Sequence, residues 1–309
     1  MVKQIFILFF IIHNISVLSQ NYLLYQKQIT KAENFILDSN YNDAVNLYDS
    51  LFKSYDFVFV ENCYTACQTA VYIKNFDKAL YFYEKGIMQG LTKEMFYKDS
   101  ILKELTKQKG WDEINYDLLR NSYIKKIDLN VKNKIIELSE LDQKYRNKYD
   151  RNIFTKMIYH LKWKKVLKYI VEDEIIPIIK TYHYPGEKAI GIFETSSIVG
   201  ASLTTNILLH YFSFLKNDSL NKILLNEIDS GYLKPQEYIW FLDYQDNNNY
   251  IADTNKIDKN ILNNLNKRRN ELGLENVEVL IKKYNRGLNI CNEIKKGNYK
   301  HIKLGYWCG

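Results

Sequence analysis

Between residues 131 and 148, the apolar positions Ile135, Leu138, Leu141 and Tyr145 recur every three or four residues, with charged side chains between them. That is the period of a helix with one buried stripe. The same spacing predicts helices over residues 153–171, 198–215, 220–228, 235–243, 258–269 and 277–284. The stops between them have local causes. Asp173-Glu174 precedes Pro177, which suits the first turn of a new helix. Pro185-Gly186 makes a turn within residues 183–191. Gly231, the polar stretch 245–250 and Gly273 separate the later helices. The expected fold is all-α.

Nearer the N-terminus the pattern repeats itself. Residues 40–48 (NYNDAVNLY) and 75–83 (NFDKALYFY) share asparagine, an aromatic, two polar residues, alanine and a later tyrosine, at an offset of 35. A helical hairpin explains the pattern. Asn40 and Asn75 end one helix, where a short polar residue tolerates the left-handed conformation. Asp43 and Asp77 favour the start of the next. Ala44 and Ala79 are small where two helices cross, and Tyr48 and Tyr83 lie four residues along the same face. Twelve residues earlier, Ala32 and Cys67 supply the matching small positions. This arrangement resembles the tetratricopeptide repeat, whose period is about 34 residues. A third, degenerate unit is expected over residues 92–123, packing through Trp111 and Leu118 or Leu119.

The first residues form a different pattern. Lys3 precedes an unbroken apolar run at residues 5–12, and Val17 and Ser19 take the −3 and −1 positions of a small-residue cleavage site. This is the three-part plan of an export signal, cut after Ser19 or Gln20. An uncleaved anchor is the alternative, but His13 and Asn14 would be costly in lipid. No later run approaches a span of about 20 apolar residues. The expected product is a soluble extracytoplasmic protein with no membrane span. Its expected divisions are a signal over residues 1–19, tetratricopeptide-like repeats over 20–125 and a helical domain over 126–309.

Composition adds limits. With 46% hydrophobic residues the chain has ample core, and 3 Pro and 12 Gly in 309 residues favour long helices. The net charge of +7 comes from 43 basic and 36 acidic residues that are interspersed, so no nucleic-acid partner is expected. Cys63 and Cys67 sit four apart on one helix, in poor geometry for a bridge. They are expected as small core residues. A Cys291–Cys308 disulfide is open to an exported chain. No CxxC pair occurs and the histidines are scattered, so neither a metal nor a cofactor is expected.

The C-terminal half carries short motifs in a definite order. They are Leu138-x-x-x-Asp142-Gln143-x-x-Arg146, Tyr184-Pro185-Gly186 with Ile190-Gly191, His210 late in a helix, Gly231-x-x-x-Pro235 with Leu242-Asp243, and Arg269-x-x-Leu272-Gly273-Leu274. This order resembles an uncharacterised bacterial helical domain of unknown function, often found after an export signal and helical repeats. The family's positions would fall on Asp142, Gln143, Arg146, Pro185, Gly186, Gly191, His210, Gly231 and Asp243. The chain departs from it at Tyr244, where the family often has arginine.

No Gly-x-Ser-x-Gly elbow, phosphate loop or HExxH motif occurs. Ser196, Ser197, Thr204 and Thr205 are ordinary helix and cap residues on this reading. The candidate site is therefore assembled from His210 as base, Asp142 or Asp243 to orient it, and Arg146 to hold an anionic group. The alternative for His210 is a packing role. Two functions follow. One is a non-catalytic interaction protein that binds a protein or peptide in its repeat groove. The other is a hydrolase-like enzyme centred on His210, Asp142 and Arg146, which requires those three side chains to line one cavity.

Overall fold

The computed structural model describes residues 20–97, 99, 101–193, 202–245 and 258–296. The expected export segment, residues 1–19, lies outside the described residues. So do Ser196, Ser197, Cys308 and the side chain of Cys291, and with them the proposed bridge. Among the described residues all regular structure is helical.

Helices α1 (Tyr22–Leu37) and α2 (Tyr41–Ser54) form one hairpin, and α3 (Val60–Tyr72) and α4 (Phe76–Ile87) form the next. Their turns are built alike. The Asn40 and Asn75 N–H groups reach back to the carbonyls of Phe35 (2.7 Å) and Ala70 (2.9 Å). The Ser39 and Lys74 N–H groups reach Ile36 (3.1 Å) and Val71 (2.9 Å). This paired closure needs a left-handed residue just before the asparagine. Ser39 (φ 66) and Lys74 (φ 61) take that role rather than Asn40 and Asn75. The asparagines become N-caps instead, and Asn75 accepts from the Lys78 N–H.

The small residues do what the repeat pattern requires. Ala32, Ala44, Cys67 and Ala79 are fully buried. The Cys67 thiol lies 3.4 Å from the Ala79 carbonyl, an approach that a larger side chain at either place would prevent. Tyr48 and Tyr83 are buried beside them, and Phe52 meets Phe82 edge-on at 5.3 Å between the hairpins. The third unit is broken into α5 (Lys93–Tyr97), a 3₁₀ turn (Leu102–Lys107) and α6 (Tyr116–Ile124). Trp111 stacks on Tyr83 at 4.8 Å and closes the array; Leu119 packs inward, whereas Leu118 is exposed.

The second half begins with α7 (Leu129–Tyr149) and α8 (Ile153–Lys168). The break expected at Asp173-Glu174 does not occur. Helical structure runs from α8 through a π-helical stretch (Tyr169–Ile175) into α9 (Ile176–Tyr182). Pro177 has no N–H to donate, and the hydrogen-bond ladder loosens just ahead of it: the Ile176 N–H donates to the Val171 carbonyl, five residues back. There follow α10 (Glu187–Ile190), α11 (Leu203–Phe212), α12 (Asp218–Asp229), α13 (Pro235–Gln245), α14 (Lys259–Glu271) and α15 (Val277–Lys295). Asp258 caps α14 as expected, and α15 runs well past residue 284. No described helix is long and apolar enough to cross a membrane.

Buried apolar residues form two clusters, one within residues 22–105 and one within residues 131–274. They are tied together by α15, which lies on α1. Lys283 is fully buried with its Nζ 2.8 Å from Glu33 and 3.4 Å from Glu275. Arg286 donates to the Ile36 carbonyl (3.0 Å), which also takes the Ser39 N–H where α1 ends.

Candidate functional site

Asp142 lies on the inward stripe of α7 with Val131, Ile135 and Leu138, so its carboxylate enters the core. Three neighbours meet it there. The indole Nε1 of Trp163, from α8, donates to Oδ1 at 2.8 Å. The Nδ1 of His210, in the last turn of α11, lies 2.7 Å from Oδ2, and the Gln143 amide donates to the same oxygen at 3.2 Å. With two donors already directed at it, the carboxylate acts as acceptor, and the proton of the histidine contact belongs on Nδ1. Rings surround the pair. Trp163 is 5.3 Å from His210 and 5.0 Å from both Tyr149 and Phe214, and His160 stands 5.1 Å from Phe214. A buried carboxylate held by three side chains is a costly group made tolerable by full satisfaction. It joins α7, α8 and α11.

The other two sequence candidates lie elsewhere. Arg146 is one turn beyond Asp142 but faces solvent, with its Nε 3.4 Å from Asp150 and both side chains about half exposed. A pair of that kind contributes little. Asp243 stands at a narrow cleft between α13, α14 and α15 that Arg268 and Arg269 also line. Burial pulls the Arg269 guanidinium down, and the carboxylates of Glu275 and Asp243 oppose that. The structure therefore brings His210 to Asp142 and gives Arg146 and Asp243 other partners. Thr204 and Thr205 are buried, donating to the Pro185 carbonyl (2.8 Å) and bonding the Tyr184 hydroxyl (2.9 Å). Ser213 Oγ donates to the His210 backbone carbonyl rather than to its ring. Burial pushes the thiols of Cys63 and Cys67 up, which leaves them unreactive. Among the described residues no cluster suits a metal ion.

A second polar cluster lies where the two halves meet, and sequence reasoning missed it. Lys234 Nζ is 3.1 Å from Glu187 and 3.2 Å from Glu61 of α3. Burial alone would push this ammonium down; Glu187 and Glu61 outweigh it and hold it up. Glu187 also accepts from the Val60 N–H, capping the start of α3 from the other half, where the N-cap residue Phe59 has no side-chain acceptor. Burial raises the carboxyl of Glu187 and pushes that of Glu237 up to about 7, against the pull of Lys234. The motif glycines serve the same join. Gly191 (φ 72) faces the Tyr123 hydroxyl, and Gly231 (φ 75) faces the ring of Tyr22; a Cβ at either would collide. The Pro-Gly signal and the acid after it were visible in the sequence, but nothing there named Lys234 as their partner.

No protein family model, curated protein or solved structure matches the chain.

Proposed function

We propose that the chain is a non-catalytic interaction protein that works outside the cytoplasm, its repeats binding a protein or peptide partner. The observation that carries this reading is the use made of the polar motif residues. Gln143, His210 and Trp163 all bond to the Asp142 carboxylate, and Glu187 and Lys234 seal the join between the halves. Chemistry needs a nucleophile or a bound electrophile beside the base, and among the described residues the His210 ring is hydrogen-bonded to the Asp142 carboxylate. The residue pattern at 1–19 supports the location, and the paired hairpins support the class of partner.

Other parts of the chain already cover some of the repeat helices. Asp99 accepts from the Tyr64 hydroxyl (2.6 Å) and from the Gln68 amide of α3, and α15 covers Glu33 of α1. A partner reaches the repeats through positions that stay exposed, such as Leu24 and Tyr72. Photo-crosslinking groups placed at these two positions in the intact chain, in its native envelope, should each give a discrete protein adduct. Adducts no stronger than those from the buried position Ala44 would refute the reading.

A hydrolase-like enzyme built on His210, Asp142 and Arg146 keeps one observation in its favour, the 2.7 Å contact between His210 and Asp142. It loses the third member, since Arg146 faces solvent. Hydrolysis of a chromogenic ester or phosphate that disappears in His210→Gln would favour it over the interaction reading.

A further inference from the structure

Helix α8 is apolar on two sides. Trp163 and Leu167 face the core, as an amphipathic helix requires. On the other side Ile153, Phe154, Met157, Ile158 and Leu161 are between 57 and 76% exposed. At 3.6 residues per turn these five fall within an arc of about 140°, one continuous face over the first nine residues of the helix. Single exposed apolar residues are ordinary, but five contiguous ones mark a surface that something covers.

Charge and shape say what covers it. Residues 151–171 hold six basic side chains (Arg151, Lys156, Lys162, Lys164, Lys165 and Lys168) and no acid. Lys164, Lys165 and Lys168 continue the apolar face over the last turns, and Lys156 and Lys162 flank it, their ammonium groups over the rings of Tyr149 (5.7 Å) and Tyr159 (5.3 Å). Along the sequence the nearest acids lie beyond the ends, Asp150 beside Arg146 and Glu172 beside Lys168. A second copy of this face would bring two such lysine sets together with no acid between them. Side chains this exposed stand clear of their neighbours, as knobs rather than the walls of a groove. Knobs of aliphatic and aromatic carbon ringed by long lysines suit a soft surface that admits the carbon and offers anionic oxygen around it.

We propose that the outer face of α8 docks the protein on an anionic lipid bilayer, with Phe154, Met157 and Leu161 entering the headgroup–acyl boundary and the lysines meeting lipid phosphates. This goes beyond the repeat-partner reading and does not rest on it.

The test is co-sedimentation of the full chain with vesicles of equal parts phosphatidylcholine and phosphatidylglycerol, beside vesicles of phosphatidylcholine alone. Residues 1–19 carry an apolar run of their own, so docking is scored as the difference between the chain and its α8 variants. The double variant Met157→Asp/Leu161→Asp should weaken sedimentation on the mixed vesicles by about tenfold or more, as should Lys162→Gln/Lys164→Gln/Lys165→Gln. The lysine variant touches no core residue and keeps the test open if the first misfolds, which circular dichroism reports. Added salt should release the chain, and neutral vesicles should hold it weakly. Equal binding to both vesicle types, or binding that neither variant changes, overturns the proposal. So does a stable dimer in solution that Met157→Asp/Leu161→Asp converts to monomer without vesicle binding, since the face then belongs to a second copy.

Discussion

The contact between Asp142 and Trp163 shows what one side chain decides. Among the described residues the indole N–H is the one donor to Asp142 Oδ1, across 21 positions of sequence and the turn between α7 and α8. Trp163→Phe keeps most of the ring packing and removes that donor, and should cost about 1–3 kcal/mol in urea unfolding. An unchanged midpoint would mean the carboxylate does not depend on the indole. Asp142 became a candidate through the motif Leu138-x-x-x-Asp142-Gln143-x-x-Arg146, which also set Arg146 beside it as a member of the same site. Residues four apart on a helix differ by about 40° around its axis, enough at the edge of a buried stripe to put one inside and the other in solvent. Trp163 itself was not legible. Helix α8 is apolar on both sides, so its period did not reveal which side faced inward.

At the scale of elements, the repeat hairpins were the most legible part of the chain, because each is specified by local chemistry repeated in register. Small residues at 32, 44, 67 and 79 are fully buried, and the turns close by the same pair of backbone hydrogen bonds. The reading slipped by one residue at the turns, where Ser39 and Lys74 rather than the asparagines carry the positive φ. A lysine there bears a Cβ in a conformation that suits glycine. Lys74→Gly should therefore raise stability by about 0.5–1 kcal/mol, after the entropy that glycine loses on folding. A loss of stability would show that the Lys74 side chain makes contacts worth more than the strain. The continuous run from α8 to α9 was not legible either, since Asp173, Glu174 and Pro177 resemble a stop. A π-helical stretch that accommodates proline without ending the helix leaves no mark in the apolar period.

For the whole molecule, the all-α fold followed from periodicity, while the join between the halves did not, because its partners are far apart in sequence and meet only after folding. Glu187 and Glu237, whose carboxyls burial raises, make that join sensitive to pH. Burial raises Glu237 to about 7 from an ordinary value of 4.5. The folded state thus holds a proton that the unfolded chain releases, and stability must fall as pH rises from about 4.5 to about 7. Urea unfolding at intervals across that window should show the decline, amounting to a few kcal/mol, and Glu237→Gln should flatten it. A wild-type chain whose stability rises through the window would contradict the raised carboxyl. The widest question is whether the His210–Asp142 contact holds the molecule together or exists for chemistry. It is met most directly by a double-mutant cycle of unfolding free energies for Asp142→Asn, His210→Gln and the pair. A structural pair predicts that both single changes destabilise and that they couple by about 1–3 kcal/mol. Single changes that leave stability unchanged or raise it, with no coupling, are the behaviour of a site kept for activity, and would contradict the account.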